Sequence, residues 1–347
     1  MRSINRFMLF LIAPFLGLGL YLAVWNNYVV AAQLSTEGLE NTLDNAIHAI
    51  DSLQENVYII ADVIAEQEEE YQRQLRTLRE MSDSSLENKE MSDQIYEQRI
   101  LNMLGPPIRT YLSDRTEIKI FDLNELGYRG VIAKVKLFDP SVFRVVLAND
   151  QLGTRETTAQ AVARSGAILG INGGGFYSAV EDGQYVTLPL GNTVIDGKLV
   201  NGLHFAPDMF FAGITRDGDL IGEVCSNQEE FMNLDAYQGV SFLPVLIKEG
   251  QPAPIPKDWA WARQPRTLIG EYANGDLILI VVDGRQSDWS SGVTLERLQV
   301  KLIELGVKNG FNLDGGGSST MVFQGEVLNR PSDGSQRPVV TNIIIMP

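Results

Sequence analysis

The sequence contains one cysteine, Cys225, and two histidines, His48 and His204, in 347 residues. A lone cysteine cannot build a disulfide framework, and no Cys/His set exists for a structural zinc. Papain-like catalysis is disfavoured for the same reason. His48 falls in a segment read below as a coil, so a Ser–His–Asp site would depend on His204, whose neighbours Leu203 and Phe205 suggest that it simply packs. Basic side chains are scarce as well: 28 Lys and Arg stand against 44 Asp and Glu, a formal charge of -16. That balance argues against nucleic acid as a partner, because backbone binding depends on counterion release by cations. With these options removed, chemistry falls to carboxylates, amides, hydroxyls and arginines. The hydrophobic content, 44%, is enough for a folded core.

The charge is unevenly placed. Residues 33–99 hold 16 acidic and 5 basic side chains, a net of -11. Before them, Phe7 to Trp25 is uncharged, and its 19 residues approach the ~20 needed to span a hydrocarbon core. Arg2 and Arg6 precede it and no charge follows until Glu37, which predicts a cytoplasmic N-terminus and an extracytoplasmic remainder. The stretch exceeds an ordinary signal-peptide core, so residues 1–32 are read as an anchor. Cleavage near Val30-Ala31-Ala32 would instead give a secreted protein.

From Leu39 to Met81 an apolar spacing of 3.5 residues runs through Leu43, Ala46, Ile50, Leu53, Val57, Ile60 and Ile64, a coiled-coil seam. Gln67 and Gln74 occupy core positions of that frame and weaken it. The segment 33–104 is therefore expected to be a stalk that self-associates, or an amphipathic helix folded back on the body. Ser82–Ser85 is a candidate break, and Gly105-Pro106-Pro107 is expected to end the helix.

Residues 105–347 are rich in strand-like runs, among them Val131–Phe138, Val142–Ala148, Leu277–Val282 and Val339–Met346. Thr294 caps a predicted helix with Leu295, Leu298, Leu302 and Leu305 on its apolar face and Gly306 as its stop, and a second helix is expected from Thr154 to Ser165. The expected fold class is α+β: a mixed, largely antiparallel β-sheet domain with flanking helices, preceded by a transmembrane helix and a long coiled-coil-like helix.

Three apolar strands end in polar or glycine-rich punctuation. Ala167–Ile171 runs into Asn172-Gly173-Gly174-Gly175-Phe176-Tyr177, Leu277–Val282 into Asp283-Gly284-Arg285, and Phe311–Leu313 into Asp314-Gly315-Gly316-Gly317-Ser318-Ser319-Thr320. Two triple glycines in one domain call for a reason. One is a concave row of N–H groups that binds an anion, supplemented by the hydroxyls of Ser318, Ser319 and Thr320; the other is tight turns with little side-chain clearance. Arg266, Arg285, Arg330 and Arg337 add guanidinium groups suited to phosphate oxygens. The glycine spacings match neither a dinucleotide fingerprint nor a P-loop, and no GxSxG elbow is present.

Together, Asn172-Gly-Gly-Gly175-Phe176, Gly191 through Asp196-Gly197-Lys198, Arg266–Gly270, Asp283-Gly284-Arg285, Asn312–Ser319 and Asn329-Arg330-Pro331 resemble the phosphodiester glycosidase family over about residues 115–347. The resemblance implies hydrolysis of a sugar-1-phosphodiester, whose leaving group is a weakly basic phosphate monoester that needs little help from a general acid. On that reading Arg266, Gly315–Gly317, Ser318 and Ser319 hold the phosphate, and Asp314 acts at the sugar carbon as nucleophile or as base for water. Asp283 is the second carboxylate, Asn172 orients substrate, and Phe176 or Tyr177 stacks on a sugar. Asp196 ranks lower, since Asp-Gly is also a common hairpin turn.

No cofactor is required by this reading. Asp283, Asp314 and backbone carbonyls offer oxygen ligands to a divalent cation such as calcium, although no EF-hand spacing is present. The expected function is a membrane-anchored, extracytoplasmic hydrolase acting on glycosyl phosphodiesters of the cell envelope or of external glycans. The alternative is a non-catalytic envelope protein that binds anionic glycans.

Overall fold

Leu277–Val282 forms a strand buried on both faces, as an uninterrupted apolar run requires. It lies inside an eight-stranded sheet whose spatial order is Arg109–Leu112, Thr116–Glu125, Tyr128–Leu137, Leu277–Val282, Arg266–Tyr272, Val307–Leu313, Val245–Lys248 and Gln251–Pro252. This computed structural model describes residues 14–22, 45, 73, 89–181 and 183–347. A five-stranded sheet places Glu326–Val327, Met321–Phe323, Leu169–Asn172, Thr341–Ile345 and Phe143–Leu147 side by side. A second five-stranded sheet is centred on Phe210–Ile214 and Gln238–Phe242, and Phe176–Glu181 pairs with Gln184–Pro189 as a separate hairpin.

Every strand pair among the described residues is antiparallel, so the "mixed" part of the expected sheet is absent and the domain is mostly antiparallel β with a few helices. Short turns account for the hairpin pairs, such as Arg266–Tyr272 with Leu277–Val282, since parallel pairs need long crossovers, while others, such as Tyr128–Leu137 with Leu277–Val282, join strands distant in sequence. One continuous core joins the three large sheets. Ile118, Ala133, Leu279, Ile269 and Phe311 of the eight-stranded sheet meet Val145, Ile171 and Ile343 of one smaller sheet and Phe210 and Val240 of the other. Burial of each such aliphatic side chain stabilises the fold by about 1.5–3 kcal/mol.

The helix Leu295–Glu304 has the expected boundaries. The Thr294 hydroxyl accepts from Arg297 N, Leu295, Leu298 and Leu302 are buried, and Gly306 turns the chain away at φ 72°. The other expected helix begins later, at Thr158. Thr157 makes its capping box with Gln160, while the Thr154 hydroxyl donates instead to the carbonyls of Ala148 and Gln151. His204 also departs from expectation, because its side chain is exposed rather than packed.

By its contacts the chain divides into two units, Met1–Arg73 and Gln74–Pro347. In the first, residues 14–22 are helical with exposed side chains, including Phe15, Leu18 and Leu22. Among the described residues no helix is long and apolar enough to cross a membrane. Most of the Phe7–Trp25 segment, nearly all of the Leu39–Met81 seam and the Ser82–Ser85 break lie outside the described residues.

In the second unit the helix Lys89–Leu104 stops at Gly105, φ 77°, just before Pro106. It lies on the eight-stranded sheet through Ile100, which is buried, and through Glu97, which accepts from Lys119 Nζ at 2.5 Å and pairs with Lys134 Nζ at 2.7 Å. Lys134 is itself buried in the strand Tyr128–Leu137 and is bonded to buried Asp276. Residues 89–104, which the sequence groups with the coil, thus take part in the packing of the sheet. Because Asp276→Ala leaves buried Lys134 with Glu97 as its remaining carboxylate partner, it should lower unfolding free energy by about 1.5–3 kcal/mol, and adding Lys134→Met should restore part of it. Urea denaturation of the single and double variants measures this, and equal stabilities would contradict it.

Candidate active site

The register of the eight-stranded sheet brings three expected site residues to one end of it. Arg266 pairs with Val282, the residue before Asp283, and Thr267 pairs with Leu313, the residue before Asp314. Asp283, Arg266 and Asp314 therefore stand at the same end of three adjacent strands. Asn172, at the end of the strand Leu169–Asn172 in the neighbouring sheet, meets them there.

Asn172 joins the sheets by its side chain. Its Oδ1 accepts from Thr267 Oγ1 at 2.7 Å and from Thr320 N at 3.1 Å, and its Nδ2 donates to the carbonyl of Asp314 at 2.6 Å. The residue is fully buried, so in the free protein its amide positions the protein's own loops. The first triple glycine serves the same junction. Gly173 N and Gly174 N donate to the carbonyl and hydroxyl of Thr341, and a Cβ at Gly174 would lie 2.7 Å from the carbonyl of Ser241. Two of the N–H groups proposed to receive an anion are thus already used, and the close-packing reason applies to this run. Gly175 packs on Phe242, half-buried Phe176 opens the hairpin Phe176–Glu181, and Tyr177 is exposed.

The second triple glycine is arranged differently. Gly315 is closed in by the carbonyl of Pro265, 2.8 Å from where a Cβ would stand, and Gly316 has φ 61°. Gly315 N donates to Asp314 Oδ1 at 3.0 Å and Gly316 N to the carbonyl of Pro265 at 2.9 Å. Arg285 lies over Gly316 and Arg337 over Gly317. Desolvation raises the pKa of Asp314 to about 6, against the opposing pull of Ser318, the Gly315 N–H and Arg337. The Ser318 hydroxyl lies near enough to favour the carboxylate without the alignment of a full hydrogen bond. The hydroxyls of Ser319 and Thr320 are buried and have no hydrogen-bond partner among the described residues.

Arg266 is 5% exposed, and its guanidinium donates to the carbonyls of Ala262 and Val293 at 2.9 and 3.5 Å. No carboxylate stands within 4.0 Å of it among the described residues. Burial, and then the charge of Arg285, lower its pKa to about 10. Arg285 is held at φ 62° while its Nε donates to Gln264 Oε1 at 2.8 Å. A non-glycine residue in that region stores strain of order 1 kcal/mol, a feature common at functional sites.

Asp283 is the more constrained carboxylate. Oδ1 accepts from Asn329 Nδ2 at 3.0 Å and from Arg330 N at 2.8 Å, and Oδ2 accepts from Trp289 Nε1 at 2.7 Å. Burial raises its pKa and these bonds oppose the rise. Arg330 is exposed, 5.5 Å above the Trp289 ring, whose centroid is 4.4 Å from Arg129.

Asn329, Trp289, Thr267 and Thr341 have structural parts here that the sequence-based site did not assign. Asn329 and Thr267 sit within motifs of the family resemblance, whereas no sequence pattern singles out Trp289 or Thr341. Asp196-Gly197 is the turn of the hairpin joining Thr193–Ile195 to Lys198–Leu199. No group of three or more His, Cys, Asp and Glu stands together among the described residues.

Comparison with known proteins agrees with this architecture. A family model described as phosphodiester glycosidase matches residues 165–346. N-acetylglucosamine-1-phosphodiester alpha-N-acetylglucosaminidase of Bos taurus is 32% identical over 201 residues, which are 52% of this chain and 36% of that protein. The SPbeta prophage-derived uncharacterized protein YomE of Bacillus subtilis is 30% identical over 199 residues, covering 55% of this chain and 30% of that protein. The chain thus spans about a third of the length of these curated relatives. In fold it is similar to the catalytic domain of zebrafish N-acetylglucosamine-1-phosphodiester alpha-N-acetylglucosaminidase, auto-inhibited by its pro-peptide. The TM-score is 0.54 at 24% identity, over 70% of this chain and 86% of that one. A hypothetical protein from Synechocystis gives a TM-score of 0.54 at 15% identity, over 70% and 64% of the two chains. The chain belongs to the phosphodiester glycosidase family.

Removing the Asn172 amide leaves a buried Thr320 N–H and the Thr267 hydroxyl without their acceptor. Asn172→Ala should therefore lower unfolding free energy by about 2–4 kcal/mol. Chemical denaturation tests this, and a loss below about 0.5 kcal/mol would show that the amide does not hold the sheets together.

Proposed function

We propose that this protein hydrolyses glycosyl-1-phosphodiesters, with Asp314 as the working carboxylate. The observation that carries the reading is the placement of Asp314 at the head of the glycine run over which Arg285 and Arg337 lie, next to the strand that begins at Arg266, which has no carboxylate partner among the described residues. Such a setting suits a substrate with an anionic leaving group. Ionised Asp314 takes a proton from water as the water oxygen bonds to the anomeric carbon. The bond from that carbon to the phosphate oxygen breaks with its electron pair. The products are a free sugar and a phosphate monoester, whose charge is stabilised by the arginines and the Gly315–Gly317 segment.

Asp283, with both oxygens already bonded, has a positioning part through Asn329, Arg330 and Trp289. Asn172 acts through the loops that it ties. Ser318, Ser319 and Thr320 line the phosphate side, while Phe176 or Tyr177 meets the sugar. The glycine run Gly173–Gly175 brings the first loop close enough to do so.

The uncharged Phe7–Trp25 segment behind Arg2 and Arg6 supports a single-pass anchor with the catalytic domain outside, and the Leu39–Met81 seam supports a self-associating stalk. An extracytoplasmic position would place anionic envelope or external glycans within reach.

Asp314→Asn should abolish release of sugar from a sugar-1-phosphodiester panel, and kcat of the parent should fall as pH drops through about 6, where Asp314 becomes protonated. Undiminished turnover by this variant would remove the assignment, and saturable binding without product from the parent would favour a glycan-binding protein. Stability should move the opposite way. A carboxyl whose folded pKa is raised favours the fold when protonated, and that contribution is lost as pH rises through about 6. At pH 8 Asp314→Asn should therefore be more stable than the parent by about 1–2 kcal/mol, allowing for partial solvation, with the gain vanishing near pH 3.

A further inference from the structure

Asp333 and Arg337 lie across the second triple glycine. Arg337 Nη2 is 2.9 Å from Asp333 Oδ2, and a Cβ placed on Gly317 would stand 2.1 Å from the former and 2.3 Å from the latter. The Arg337 charge favours ionised Asp314. Asp333 is held below the usual carboxylate range by its bond to Arg337, with Arg285 contributing at longer range.

The loop that carries the pair is tied at its root. Arg330 N donates to Asp283, Gln286 Nε2 donates to the carbonyls of Arg330 and Pro331 at 3.1 and 3.2 Å, and Gly334 N closes a turn onto the carbonyl of Pro331. The ion pair itself is 40% and 41% exposed, so solvent reaches it and exchange of one anion for another requires no unfolding.

We propose that Asp333 is an affinity-setting residue: its carboxylate occupies on Arg337 the place that a phosphate oxygen of the ligand takes, and binding exchanges one for the other. This rests on the glycosyl phosphodiester reading of the same site. Carboxylate and phosphate oxygens present similar acceptors to a guanidinium, so the exchange preserves the bonding of Arg337. Displaced Asp333 then stands beside the bound phosphate. A phosphodiester carries one negative charge, whereas the monoester product and inorganic phosphate carry up to two, so repulsion from Asp333 falls harder on the product and favours its release.

The test uses inorganic phosphate as probe and titration calorimetry on the full chain, with sugar release measured alongside. Asp333→Asn should tighten phosphate binding about fivefold, the scale of a partly exposed ion pair, and should strengthen product inhibition more than it lowers KM for the diester. Arg337→Gln should weaken phosphate binding and cancel the gain when combined with Asp333→Asn. Asp288→Asn removes the same charge from an exposed carboxylate 3.9 Å from Arg330 and serves as the control for a general field effect. Unchanged phosphate affinity in Asp333→Asn, or an equal gain in Asp288→Asn, would overturn the proposal. If phosphate binding shifts as expected while no sugar-1-phosphodiester is turned over, the functional reading fails and the anion exchange stands. Asp333→Ala gives a second variant should the asparagine alter the local turn.

Discussion

The site depends on one buried amide. Asn172 reaches from the end of a five-stranded sheet to Thr267 in the eight-stranded sheet, to Thr320 beyond the second triple glycine and to the carbonyl of Asp314. The bonds to Thr267 and Thr320 are buried, so the alternative to making them is an unsatisfied polar group. The two sheets also share an apolar core, but apolar contacts are non-directional and set no angle between strand ends. Directional bonds from a single side chain can set one. The close approach of glycine backbone to Thr341 and Ser241 completes the junction, because a side chain there would push the loops apart.

On that frame the two aspartates diverge. Asp283 has donors on both oxygens, from Trp289, Asn329 and Arg330, and is bonded into the wall of the site. Asp314 has the Gly315 N–H on one oxygen and the Arg337 charge nearby, but desolvation prevails and raises its pKa to about 6. The same residue type thus serves as a tether in one place and as a titrating group in the other, with the number of donors deciding which. Arg266 adds a desolvated cation whose hydrogen bonds, among the described residues, go to neutral carbonyls, an arrangement that favours an incoming anion.

Much of the framework was legible in the chain. The apolar run Leu277–Val282 is a central strand with those bounds, and Thr294 and Gly306 bracket the helix between them because capping is a local interaction. Asn172, Asp283 and Asp314 were legible as candidates because each follows an apolar run, and Arg266 because its guanidinium suits phosphate oxygens. Their relative placement was not, and neither was the difference between the triple glycines. One run packs against backbone while the other lies beneath two arginines, a distinction made by residues distant in sequence, Ser241 and Arg337. Trp289 carried no signal, since its bond to Asp283 depends on a loop conformation.

By itself the sequence determined the scarcity of thiols and imidazoles, the acidic balance, the local caps and turns, and the set of residue types available for chemistry, all of which are properties of composition or of neighbours along the chain. Only the tertiary structure decided that strand pairing would be antiparallel throughout the described residues and that Asp314 rather than Asp283 would keep an unsaturated carboxyl. Those outcomes depend on which distant groups supply donors and exclude water, and such pairings exist only once the sheets have met.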